Sequence, residues 1–114
     1  MEMTFTQQDG VGIITPHGKL NISNAQQLKE KFDEYLKSTH YFVFDLAHVD
    51  FMDSTGLGAV ISCLKEASKA EGEICIANVQ PKPQLLFEIT RAYRIFDIYD
   101  NVETAINETK KLVK

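Results

Sequence analysis

The residue types able to do chemistry gather in one octet, Phe51-Met52-Asp53-Ser54-Thr55-Gly56-Leu57-Gly58. A carboxylate and two neighbouring hydroxyls stand there, between an apolar run (Tyr41 to Leu46) and an amphipathic one. Asp, Ser and Thr are all ordinary helix caps, each worth about 1 kcal/mol, so capping alone accounts for their types. The glycines ask for more. Each weakens a helix by roughly 1 kcal/mol relative to Ala, and two of them fall in what would be the first turn. Such a pair predicts that another backbone, or another protein, comes close at this point. In open α/β sheets, sites collect beyond the carboxyl ends of the strands, which places Ser54 exposed at the functional edge.

Elsewhere the candidates do not converge. His17, His40 and His48 lack any ligand spacing and read as surface or loop histidines. Cys63 and Cys75 are too few and too far apart for a redox motif or a zinc clip, and read as small core hydrophobes. There is no Gly-rich phosphate loop with Lys-Ser or Lys-Thr and no dinucleotide fingerprint. Lys65, Glu66, Lys69 and Glu71 form a solvated helix face. No base adjoins Ser54 in sequence. The residues thus predict a target of modification, with no catalytic group, no metal and no cofactor.

The elements that position the octet follow from periodicity. Met3 to Gln7 and Val11 to Thr15 are short strands joined by a turn at Gln8-Asp9-Gly10, with Pro16 and Gly18 marking a bulge or the strand end. A helix follows, with Ser23 as cap and Gln26 completing a capping box. Ala25, Leu28, Phe32, Tyr35 and Leu36 form its inner stripe. Tyr41 to Leu46 is apolar on both parities, the mark of a central strand covered on both faces. Ala47 to Met52 is a loop or strand extension. The helix opening at Asp53 carries Leu57, Val60, Ile61, Leu64 and Ala67 inward and stops near Gly72. Ile74 to Val79 is another buried strand. Pro81 and Pro83 start a helix with Leu85, Leu86 and Ile89 on its apolar side. Ile95 to Tyr99 is a short strand, and Asn101 caps a last helix. The order β-β-α-β-α-β-α-β-α predicts an α/β fold, a mixed sheet of about five strands packed with about four helices.

Size and charge fit this. The chain has 114 residues, 44% hydrophobic and 25% charged, enough for a single domain over residues 1–114 with its own core. Its formal net charge is −4, which offers no clustered basic surface for nucleic acid or an anionic membrane. The start of the chain has neither the basic residues nor the apolar run of a signal peptide, and no stretch reaches a membrane span, so the expected location is the cytoplasm.

The octet, set between buried strand and amphipathic helix, resembles the signature of bacterial anti-sigma factor antagonists, the single-domain members of the STAS family. The likeness covers nearly the whole chain: two opening strands, Gly18-Lys19-Leu20, the first helix, the Phe44-Asp45-Leu46 strand, the octet itself and the later αβα part. The resemblance implies a STAS-like fold and phosphorylation of Ser54, with Thr55 a secondary hydroxyl. Asp53, Gly56, Leu57 and Gly58 match the motif. Asn21 stands where the family often has Asp. The resemblance further implies that the unmodified protein binds an anti-sigma factor, a histidine-kinase-like ATPase, and so frees a sigma factor. That partner would phosphorylate Ser54, which blocks binding, and a PP2C-type phosphatase would reverse it. The free protein would be a monomer. The partner rim is expected at Met52, Asp53, Ser54, Thr55, Gly56, Leu57, Gly58 and Asn21, with Lys19 and Ile22 nearby; Met52 and Leu57 also suit a core.

Three rivals have sequence arguments. A phosphoaspartate receiver would match length and acidity, with Asp45, Asp50 or Asp53 as acceptor, but the early strands offer only Glu2 and Asp9 where a magnesium site needs an acidic pair. A STAS adaptor of a transport or lipid-trafficking complex would share the fold and leave Ser54 silent. A small enzyme would need a convergence of reactive side chains that the sequence lacks.

Overall fold

A computed structural model describes residues 1–113. β1 (Glu2–Gln8) and β2 (Val11–Leu20) form an antiparallel hairpin, and α1 (Ala25–Tyr35) follows. Next come β3 (Tyr41–Asp45), β4 (Val49–Met52), α2 (Ser54–Lys69), β5 (Glu73–Ala77), α3 (Pro81–Thr90), β6 (Asp97–Tyr99) and α4 (Val102–Thr109). The strand order is β1-β2-β3-β5-β6, with β4 attached to β2. All pairings other than β1 with β2 are parallel. The predicted mixed α/β sheet is therefore present, with one strand more than expected.

That extra strand comes from the stretch expected as loop or extension. β2 does not stop at Pro16. Its first half, Val11 to Ile14, pairs with β3, and its far end, Gly18 to Leu20, pairs with β4 across a register shift. Gly18 makes the shift possible with φ of +94°, a backbone region that side-chain-bearing residues rarely adopt. One strand thus serves two parallel neighbours in succession, and β4 delivers the chain to Asp53.

The central strand reads as its composition requires. Phe42, Val43 and Phe44 are all fully buried. Phe42 and Phe44, with Ile14, Ile74 and Ile76, join the larger core containing the inner residues of α1 and α2. Val43, with Val11, Cys75 and Ala77, meets Ala105 and Ile106 of α4 on the other side. Removing this apolar area from water, at about 25 cal/mol per Å², is what holds the helices on the sheet.

Three local expectations are corrected. Ser23 does not cap α1. The chain turns one residue later, with Asn24 at the cap, because Asn21 Oδ1 accepts from the Ser23 amide while Asn24 Oδ1 accepts from the Asn21 amide. These reciprocal Asn bonds satisfy the turn and leave the Ser23 hydroxyl outside it. On α3 only Leu86 of the expected stripe packs against the core. Leu85 and Ile89 are 57% and 77% exposed, and Pro83 and Phe87 are the buried pair. β5 ends at Ala77 because Asn78 takes φ of +58° and turns the chain out of the strand. The Asn101 cap is present, its Oδ1 accepting from the Thr104 amide at 2.8 Å.

Both cysteines are buried in core positions. Burial, reinforced by nearby Asp33, pushes the Cys63 thiol up to about 12. Burial likewise pushes Cys75 up to about 11, against the lowering effect of its hydrogen bond with Thr109. Only the thiolate is reactive, and a raised pKa removes it at neutral pH. At pH 8 a disulfide thiol reagent should therefore label neither cysteine in the folded protein and both in denaturant. Rapid labelling of native protein at pH 8 would contradict this burial.

Candidate functional site

The site is built at the junction of β2, β4 and α2. Asp53 is its organising residue and the cap of α2. Its Oδ1 accepts from the Gly56 amide at 2.7 Å, satisfying one of the free N–H groups of the first turn. Its Oδ2 accepts from the Ile22 amide at 3.0 Å, tying the β2–α1 loop to the start of α2. The Asp53 amide itself donates to the Leu20 carbonyl at 3.2 Å. One residue thus fixes the end of a strand, a loop and a helix.

Gly56 explains half of the glycine puzzle. A methyl group there would stand 2.7 Å from the Leu20 carbonyl carbon and closer still to its oxygen. The backbone that comes close is the chain's own β2. Gly58 has nothing within 4 Å of where a Cβ would be. Its openness faces solvent, on the surface shared with the exposed Ser54 and Thr55.

The structure divides the expected rim residues. Ser54, Thr55 and Gly58 are exposed, and Asp53 and Asn21 are half-buried. Asn21 spends its Oδ1 on the Ser23 amide, so it shapes the loop beside the site. Met52 and Leu57, by contrast, are 5% and 3% exposed and belong to the core under α2. Gly56 is also buried, against Leu20. Those three support the site from beneath and are withdrawn from its contact surface. The apolar side chain exposed on the loop that Asp53 holds is Ile22, 74% exposed. Lys19 Nζ lies 5.8 Å from the centroid of the Phe51 ring, a cation–π contact along the β2–β4 pair.

Removing the Asp53 carboxylate should cost the helix cap and the loop bond together. Asp53→Ala is expected to lose about 2 kcal/mol in urea unfolding, roughly 1 for the cap and a similar amount for the Ile22 amide left without its acceptor. A loss below about 0.5 kcal/mol would show that water replaces both bonds freely.

Among the described residues, no group of three or more His, Cys, Asp or Glu side chains is arranged to hold a metal ion. His17 and His48 stack face to face, ring centroids 4.7 Å apart, at the far end of β2 and the start of β4. No helix among the described residues is long and apolar enough to cross a membrane. No His, Asp or Glu atom among them hydrogen-bonds the Ser54 hydroxyl.

A hairpin-led mixed sheet with this strand-to-helix junction is the frame of the STAS domain, and the family model for "STAS domain" matches residues 2–105. The chain belongs to the STAS family. Within it, its relatives include anti-sigma factor antagonists. The anti-sigma F factor antagonist of Paenibacillus polymyxa is 26% identical over 110 residues, covering 95% of this chain and 94% of that one. A provisionally assigned anti-sigma factor antagonist of Thermotoga maritima, known from its crystal structure, superposes with a TM-score of 0.88 at 30% identity, over 95% of this chain and 94% of that one. The Bacillus cell fate determinant SpoIIAA in its phosphorylated form shares the fold, with a TM-score of 0.71 at 18% identity, over 94% of this chain and 98% of that one. Antagonists of this class act through an anti-sigma factor.

Proposed function

We propose that this protein is an anti-sigma factor antagonist switched by phosphorylation of Ser54, with residues 1–114 acting as one domain. The unmodified form binds an anti-sigma factor with a histidine-kinase-like ATPase fold and frees the sigma factor. The bound ATPase then transfers a phosphoryl group: Ser54 Oγ bonds to the γ-phosphorus of ATP, ADP leaves, and the hydroxyl proton passes to a base of the kinase. A PP2C-type phosphatase hydrolyses the phosphoserine and restores binding. The chain itself supplies no catalysis in this cycle.

The observation that carries the reading is the setting of Ser54. It is exposed in the first turn of α2, held on a cap fixed at three points by Asp53. Open space beside Gly58 lets a partner's backbone approach within contact. The absence of a base bonded to the hydroxyl fits a residue that is acted upon. Ile22, Thr55 and Gly58 join it as contact surface, in place of the buried Met52 and Leu57.

The test is intact-mass analysis after incubation with the anti-sigma factor and ATP. One phosphoryl group should appear on the wild type and none on Ser54→Ala. A wild type that binds the anti-sigma factor yet never gains mass would instead describe an adaptor with the same fold and a silent serine.

A further inference from the structure

The carboxyl edge of the sheet carries a second feature, at the β5 and β6 ends. A cavity of about 520 Å³ opens there between α3 and β6, in the size range of small-molecule sites. Phe87 and Tyr93 give it an aromatic side, Asn78 and Gln84 contribute amides, and Glu88 and Asp100 contribute carboxylates. No Lys, Arg or His lines it.

The wall is held in place by spent groups. Asn78 is locked at φ of +58°, its Nδ2 donating to Asp45 Oδ1 at 3.0 Å, its amide donating to the Tyr99 carbonyl, and its own carbonyl accepting from Gln80 Nε2 at 2.8 Å. Asn adopts this left-handed conformation readily, so the bonds fix the cavity wall in place without strain. The carboxylates, in contrast, are unspent. Glu88 takes one long bond from Gln84 Nε2 at 3.4 Å, and among the described residues neither Glu88 nor Asp100 forms an ion pair. Two unpaired anions beside an aromatic wall reject an anionic ligand and favour a cation with an apolar body. A metal ion is a poor match, because the cluster falls short of three protein ligands.

We propose that this cavity binds a small organic cation, an amine carrying an aromatic or aliphatic group, with its ammonium between Glu88 and Asp100 and its body against Phe87 and Tyr93. The inference stands independently of the role of Ser54.

The test is an amide-shift NMR titration of the full chain with phenethylammonium, with phenylacetate as the anion of similar shape. Phenethylammonium should give saturable shifts at the amides of Asn78, Val79, Gln84, Glu88, Tyr93, Ile98, Tyr99 and Asp100, and phenylacetate should not. Each of Glu88→Gln and Asp100→Asn should weaken binding about threefold, as expected for an ammonium beside an exposed carboxylate, with thermal stability unchanged. Equal binding of the two probes, no saturation by phenethylammonium, or undiminished affinity in the double variant would overturn the proposal.

Discussion

Phosphorylated at Ser54, the protein should bind its anti-sigma factor about a thousandfold more weakly than the unmodified form, while its fold stays as stable as before. The modification adds about 1.5 to 2 negative charges and three acceptor oxygens to an exposed side chain. In the free protein those oxygens remain in water near the N-terminus of α2, whose dipole favours an anion by about 0.3 to 1 kcal/mol. The carboxylate of Asp53 already occupies the Gly56 amide, and its proximity offsets part of that gain. The net effect on folding is therefore small, and the thermal midpoint should move by no more than a few degrees. In a closed interface the dianion loses its water and meets a kinase site built around nucleotide phosphates. A penalty of about 4 kcal/mol there is a factor of a thousand in Kd. Calorimetric titration of both forms against the anti-sigma factor checks it. Ser54→Ala should bind like the unmodified wild type. Equal affinities of the two wild-type forms would remove the switch; a large change in circular dichroism on phosphorylation would replace local repulsion with refolding.

How far the site was legible in the sequence depended on which interaction fixed each residue. Residues whose role is local were mostly readable, Ser23 excepted, where Asn21 and Asn24 take over the turn. Asp53 as a cap and Asn101 as a cap follow from residue type and spacing, and Phe42-Val43-Phe44 declare a two-faced strand by their unbroken apolarity. Residues whose role is set by a distant partner were not. β4 reads as loop because its four residues, buried at both ends and exposed in the middle, show no alternation, and it is a strand only because the far end of β2 continues past Pro16 to pair with it. Leu85 and Ile89 have the apolar character of core, yet α3 turns Pro83 and Phe87 inward, a choice made by its neighbours. Met52 and Leu57 flank Ser54 in sequence and so look like rim; pairing of Met52 with Leu20 on β2 and the helical phase of Leu57 carry them under the surface. Ile22 lies 32 positions from Ser54 in the chain, and the Asp53 carboxylate ties its loop to the start of α2.

The two glycines of the octet should respond to the same substitution in opposite ways. At Gly56 an added methyl would press on the Leu20 carbonyl, which cannot swing aside because it accepts the Asp53 amide. Either α2 shifts off the sheet, opening the contact between Leu57 and the core, or the cap bonds of Asp53 stretch. Overpacking of this kind costs 1 to 3 kcal/mol and more where backbone is the obstacle, against roughly 1 kcal/mol returned by the better helix former. Gly56→Ala should therefore lose about 3 kcal/mol, lowering the thermal midpoint by roughly 10 °C. At Gly58 the methyl meets open space, so Gly58→Ala should stabilise the free protein by about 0.5 to 1 kcal/mol. Under the proposed function that space belongs to the anti-sigma factor, and filling it should weaken binding at least tenfold, about 1.4 kcal/mol. A variant that melts higher and binds worse separates a contact surface from a folding requirement, since a damaged fold would move both in the same direction. If Gly58→Ala bound its partner as tightly as the wild type, close approach at the first turn of α2 would be wrong, and the conspicuous cost of a second helical glycine would have no account in the interface.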